Sequence, residues 1–327
     1  MLKTSKFEKR IWIIMLFIAA VTGLLHLMES QNQKTNPFEY DLEPIKKTDP
    51  TKINYVQVDQ IQLKHKKLYG LAVGPKDRIY VTGDNKLSIF DHKGGHLQSV
   101  VLDKYALCLA VSPQGYIYLG MSNYVQIYSP KGKQLHVWPD LNDQALFTGI
   151  AVTEKNVIVA DAGNKRVLWF DCEGRLLKKI GKRDPEKGKT GFIVPSPFFD
   201  LALGTQDDIW VTNPGKHMIE NYSIWGKFRS SWGKAGWNLE GFCGCCNPTH
   251  LAVMSDGRFV TSEKGLPRVK IYDQTGTFQS IVAEPKQFDE GTKGLDLAVD
   301  SENRILVLDP VRHAVRVFQE HILKIKN

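Results

Sequence analysis

Ile150-Ala151-Val152, a polar turn at 153–156, Val157-Ile158-Val159-Ala160-Asp161, a second turn Ala162-Gly163-Asn164-Lys165-Arg166, and Val167-Leu168-Trp169-Phe170-Asp171 follow one another through the middle of the chain. Apolar runs this short, rich in Val and Ile and cut by turn residues, read as strands joined by hairpins, because a helix needs a longer periodic stretch. The opening tripeptide recurs. Leu71-Ala72-Val73, Leu109-Ala110-Val111, Ile150-Ala151-Val152, Leu201-Ala202-Leu203, Leu251-Ala252-Val253 and Leu297-Ala298-Val299 stand at intervals of 38, 41, 51, 50 and 46 residues. After each comes a turn, then a second strand such as Ile79-Tyr80-Val81 or Ile305-Leu306-Val307. A third follows (Leu87–Phe90, Val125–Tyr128, Val269–Tyr272), and usually a fourth. Four short strands per unit, six times over with no helical pattern between them, predict an all-β, six-bladed β-propeller.

The last unit has strands near 296–299, 304–308 and 314–318 and lacks a fourth, while residues 53–63 form a strand-like run ahead of the first repeat. Donating that run to the last blade closes the ring and removes an open sheet edge. The propeller is therefore expected over 53–320, with a short tail at 321–327.

Val157 to Val167, with Phe170-Asp171 and Gly174 after them, resembles an NHL repeat. Trp232-Gly233, Gly236, Phe242, Pro248 and Leu251-Ala252-Val253 resemble the segment that joins such repeats. The resemblance implies a six-bladed propeller but no single activity: NHL-type propellers serve as protein or RNA binding platforms, and related propellers include lyases and lactonases. Function has to come from the site.

The 327 residues are 42% hydrophobic and 24% charged, a globular balance that excludes wholesale disorder. The net charge of +8 is dispersed, and no basic tract interleaved with aromatics stands out, so no nucleic acid partner is expected. Residues 11–28 are an uncharged apolar run that spans about 27 Å as a helix, near the hydrocarbon thickness of a bilayer. Lys3, Lys6, Lys9 and Arg10 precede it and Glu29 follows. That pattern predicts a cytoplasmic N-terminus (1–10), a single-pass transmembrane signal anchor (11–28) and a polar, proline-bearing linker (29–52). The propeller then lies outside the cytoplasm, periplasmic or extracellular. A cleaved signal peptide is the competing reading, but Leu24 to Ser30 makes a poor cleavage site.

In a four-stranded antiparallel blade the connector to the next blade lies on the same face as the loop between strands two and three. The long connectors at 181–199 and 233–249, and a shorter one at 284–295, all fall on that face in the second half of the ring. Counting back six residues from the third-strand apolar position places Asp161, Asn213, Glu263 and Asp309 there. They are turn residues, or oxygen ligands for a Ca²⁺ shared between blades. The residues just before the triads add Cys108, Asp200, His250 and Asp296 at the mouth of the central channel. His217 and His313 share the slot of Lys165 and read as repeat residues, whereas Trp237, on a long connector, is expected to face a ligand.

Phe242-Cys243-Gly244-Cys245-Cys246-Asn247-Pro248-Thr249-His250 is the densest chemical feature. Three sulfurs and an imidazole from Cys243, Cys245, Cys246 and His250 suit Cu(I) or Zn²⁺, although the spacing matches no usual zinc pattern. Outside the cytoplasm thiols also oxidise. Cys243 with Cys246 would close a small loop, and adjacent Cys245 and Cys246 only a strained, labile ring. No GxSxG, GxxxxGK[ST] or GxGxxG occurs. The sequence thus points to a membrane-anchored platform that binds a protein or small ligand through its blade 3–6 face. The alternative is a metal-binding or redox protein, lyase- or lactonase-like, built on the cysteine loop.

Overall fold

The structure is a computed structural model that describes residues 46–181, 186, 190–206 and 208–321, together with Met15, Ala20, Val21, Thr22 and Leu24. The chain divides into a unit at 1–44 and a second at 45–327. Met15, Ala20, Val21, Thr22 and Leu24 are helical, and no helix among the described residues is long and apolar enough to cross a membrane. Most of the expected anchor at 11–28, the N-terminus at 1–10 and most of the linker at 29–52 lie outside the described residues, as does most of the tail.

The second unit is a ring of six four-stranded antiparallel sheets. The first strand, β1 (Tyr55–Gln62), belongs to the last blade. Blade one is β2 (Leu68–Gly74), β3 (Arg78–Gly83), β4 (Lys86–Phe90) and β5 (His96–Val101); blade two is β6 (Cys108–Val111), β7 (Ile117–Gly120), β8 (Val125–Tyr128) and β9 (Gln134–Val137). Blade three is β10 (Phe147–Val152), β11 (Asn156–Asp161), β12 (Arg166–Asp171) and β13 (Leu176–Ile180). Blade four is β14 (Leu201–Leu203), β15 (Asp208–Asn213), β16 (Met218–Ser223) and β17 (Phe228–Trp232). Blade five is β18 (His250–Val253), β19 (Phe259–Glu263), β20 (Arg268–Tyr272) and β21 (Phe278–Ala283). Blade six is β22 (Leu297–Val299), β23 (Ile305–Asp309), β24 (Ala314–Glu320) and, on its outer edge, β1.

The first strand of every blade touches the first strand of the next, from β2 through β22 and back to β2, so these strands line the axis and the ring is closed. Closure uses β1 as the strand count demanded: Tyr55 to Gln62 pair antiparallel with Glu320 to Ala314, with one register shift between Gln57 and Asp59. The core is divided into wedges. Each hydrophobic cluster draws on two successive blades, as when Ile61, Leu63, Leu71 and Val81 meet Leu306, Leu308 and Val315 between blades six and one. Second and third strands are therefore buried on both faces and read as continuous apolar runs, while outer strands such as β9 and β13 are exposed. Small residues set the spacing between blades. Gly276, at φ +83°, turns the chain between β20 and β21 against the Trp232 ring, where a Cβ would stand 2.4 Å from the indole.

Candidate functional site

Each inner strand starts at the same face, and the residue just before its triad is Gly70, Cys108, Gly149, Asp200, His250 or Asp296 in turn. The inner edge of these strands has no sheet partner, so its backbone N–H groups need other acceptors. Two carboxylates supply them. Asp200 Oδ2 accepts from Leu251 N of blade five at 3.0 Å, and Asp296 Oδ2 accepts from Leu71 N of blade one at 2.7 Å. Asp296 Oδ1 also accepts from its own neighbour, Leu297 N, at 2.8 Å. Each carboxylate thus joins its blade to the next. The glycine at 149 lets the strands approach, since a Cβ there would come 2.6 Å from Asp200 Oδ1.

His250 enters between these carboxylates. Its Nδ1 lies 3.5 Å from Asp200 Oδ2 and 3.4 Å from Asp296 Oδ1, both longer than a well-formed N–H···O bond, and it makes no hydrogen bond. The residue is 8% exposed. Asp200, His250 and Asp296 are the one group of three among the described residues whose potential ligand atoms all lie within 4.8 Å of one another. Burial pushes the Asp296 carboxyl up to about 6, with His250 opposing the shift and Asp200 adding to it. Burial also works against a charged His250, yet the two carboxylates raise its pKa above the ordinary imidazole value. His250 and Asp296 thus each shift the other's proton affinity across one short contact. Two carboxylates and, once it has lost its proton, an imidazole make a donor set for a first-row divalent cation such as Zn²⁺. It offers Ca²⁺ too few oxygens.

A wall of side chains leads from this cluster to the rim. The Phe198 ring meets the His250 ring edge-on at 5.9 Å, and Lys264 Nζ lies 5.1 Å from the Phe198 centroid. Lys264 also donates to Ser196 Oγ at 3.1 Å. Ser196 and Lys264 neighbour the Cys246 thiol and favour its ionised form, and its Sγ lies 3.0 Å from that of Cys245. His250 is therefore separated from the thiols that precede it in sequence. Cys243, Cys245, Cys246 and His250 do not bring their ligand atoms within 4.8 Å of one another; His250 opens β18 and lies beside Asp200 and Asp296 instead.

The residues at the ends of the second strands are occupied by the fold. Asp161 accepts from Leu146 N at 3.0 Å and pairs with Arg166 Nε at 3.0 Å. Asn213 accepts from Ile193 N and donates to Glu220 Oε1. Asp309 accepts from Arg312 N and Arg316 Nη1. Glu263 carries the most: Cys243 N at 2.8 Å, Arg268 Nε at 2.7 Å and Lys270 Nζ at 2.8 Å, with all three ionic side chains buried. Arg268 and Lys270 reach on to the carbonyls of Trp237, Asn238, Leu239 and Gly241, so the 233–249 connector is moored from beneath. Three of these four residues take an N–H from the incoming connector, direct evidence that connectors and second-strand ends share one face. They are anchors rather than an oxygen cage for Ca²⁺.

Trp237 stands on the rim, 52% exposed. His217 and His313 share the left-handed conformation of Lys165 (φ 56°, 50° and 54°), which marks a turn slot. Cys108 packs against Gly120, where a Cβ would stand 2.3 Å from its sulfur. The Asn221-Tyr222-Ser223 sequon is no open acceptor: Asn221 is buried on β16 and donates to Asp208 Oδ2 at 2.6 Å. Phe198, Ser196 and Lys264 gave no signal in the sequence, because their importance arises from blades four and five meeting.

The chain is thus a six-bladed β-propeller with a carboxylate–imidazole–carboxylate cluster where its inner strands begin. No protein-family model matches the sequence. Protein brain tumor from Drosophila melanogaster is 32% identical over 131 residues, which are 39% of this chain and 12% of that protein's length. Among solved structures, a streptogramin B lyase is similar with a TM-score of 0.57 and 13% identity, over 82% of this chain and 98% of that one. Virginiamycin B lyase from Staphylococcus aureus is similar with a TM-score of 0.53 and 15% identity, over 77% of this chain and 81% of that one. At such identities the likeness is one of fold.

Proposed function

We propose that the protein is a ligand-binding platform of the NHL type, anchored in a membrane by residues 11–28 and displaying its propeller outside the cytoplasm. Its working face is the one built by the blade 3–6 connectors, centred on Asp200, His250 and Asp296. The observation that carries this reading is His250 Nδ1: a buried, unbonded nitrogen set between two carboxylates at the axis of that face. Three protein donors around a divalent cation leave a coordination position for an oxygen of the ligand. Around it, Lys264 and the exposed Trp237 and Ile193 offer a cation and apolar surface. The uncharged run at 11–28 with four basic residues before it supports the anchor and its orientation.

Site-specific photo-crosslinking in the native host tests the choice of face. A photoreactive residue in place of Trp237 or Ile193 is expected to yield discrete adducts. One in place of Tyr116, exposed on the opposite face between β6 and β7, is expected to yield none. Equal labelling from both faces, or labelling from Tyr116 alone, would overturn the assignment.

A further inference from the structure

The three cysteines of the 233–249 connector differ in surroundings. Cys243 is buried, its backbone N–H bound to Glu263, and burial beside that carboxylate pushes its thiol up to about 12. It is a structural residue. Cys245 is exposed and Cys246 is buried, and their sulfurs lie 3.0 Å apart, about 1 Å beyond a disulfide bond. Asn247 holds the turn: its Nδ2 donates to Cys243 O at 2.6 Å and Lys264 O at 2.9 Å, and its Oδ1 accepts from Lys264 N at 2.9 Å. The pair is thus presented on a braced loop, with the buried sulfur facing Ser196 and the Lys264 ammonium. Burial disfavours a Cys246 thiolate, but the Cys245 thiol, Ser196 and Lys264 outweigh it and bring its pKa below that of an ordinary thiol.

We propose that Cys245 and Cys246 form a thiol–disulfide exchange site that takes low-molecular-weight disulfides and stores two electrons as a reversible vicinal pair. Cys245 is the exposed member of the pair and the one an incoming disulfide reaches; the Cys246 sulfur beside it raises its thiol pKa, and it attacks one sulfur of that disulfide once its proton has been given up. A mixed disulfide forms through a new Cys245 Sγ–S bond as the incoming S–S bond breaks, and the departing thiolate takes up the proton that Cys245 gave up. Cys246, too deeply placed for the incoming molecule to reach, then attacks Cys245 Sγ as its thiolate. The Sγ–Sγ bond forms and the second thiolate leaves, taking the Cys246 proton. One disulfide is reduced to two thiols and the cysteine pair is oxidised by two electrons. Adjacent Cα atoms across a trans peptide lie about 3.8 Å apart, below the roughly 4.4–6.8 Å that a relaxed disulfide spans. The ring is therefore strained and returns readily to the dithiol. Closing it also takes the Cys246 thiol away from Lys264, on the wall that ends at His250.

The test is intact-mass and peptide mapping of the full-length chain after treatment with glutathione disulfide, then with excess reduced glutathione. Wild type is expected to lose two hydrogens, retain no glutathione, carry a Cys245–Cys246 bond, and recover fully on reduction. Cys246→Ser is expected to trap glutathione on Cys245 to at least about tenfold the wild-type level, because the resolving sulfur is gone. Cys243→Ser should behave as wild type; should it fail to fold, mapping of the wild-type bond still excludes or includes Cys243. A Cys243–Cys246 bond, a stable adduct on wild-type Cys245, or no reaction would overturn the proposal.

Discussion

Replacing Glu263 by alanine is expected to lower the stability of the propeller by about 3–5 kcal/mol, the cost of stranding buried partners of an ion pair. Glu263 is fully buried and is the shared counter-ion of Arg268 and Lys270, themselves 2% and 0% exposed. Removing it leaves two cations in the interior and the Cys243 N–H without an acceptor. The midpoint of thermal unfolding should fall by on the order of 10 °C. The pH dependence follows from Lys270, which burial holds down at about 8 against the pull of Glu263. A lysine depressed in the fold costs stability at low pH, and the cost fades as pH rises toward its unfolded value. Without Glu263 the depression deepens, so the deficit relative to wild type should shrink as pH is raised from 6 toward 9. Thermal melts across that range check both statements, and a shift of a degree or two, independent of pH, would show that the triad is not the mooring of the connector.

Deleting residues 53–63 is expected to abolish the cooperative fold. This segment supplies the outer strand of blade six, and Ile61 and Leu63 fill the wedge between blades six and one. Ile53 also bridges to Ile281 on the outer strand of blade five, and Tyr55 packs into the wedge between blades five and six. The deletion would uncover the unpaired edge of β24 together with two hydrophobic surfaces, a combination that favours edge-to-edge aggregation. Size exclusion should show aggregates and calorimetry no sharp transition. A monomeric variant with an unchanged melt would mean that closure resides elsewhere.

The fold was legible because its signals are local and repeated. The Leu-Ala-Val triads mark the inner strands, and the missing fourth strand of the last unit pointed to residues 53–63. The same positions placed Asp200, His250 and Asp296 around one opening. Their grouping was not legible, because nearness in sequence drew His250 toward the thiols at 243–246. The fold sends it the other way: the connector ends at the rim, β18 begins at the axis, and two carboxylates from blades four and six flank the ring. The aligned residues Asp161, Asn213, Glu263 and Asp309 revealed the repeat, but only their partners show that their polar atoms are already committed.

The most direct measurement is zinc titration by calorimetry of the full-length chain, stripped of metal, in a Cys245→Ser/Cys246→Ser background that removes the competing thiol pair. One Zn²⁺ per chain is expected at pH 7.5, with affinity reduced at least about 100-fold by His250→Ala and by Asp296→Asn. Affinity should also weaken as pH falls from 7.5 through 6, since both His250 and Asp296, whose pKa values are raised, must lose their protons to bind metal. Stoichiometric zinc that survives both substitutions, or no zinc at all, would contradict a cation site at the mouth of the propeller.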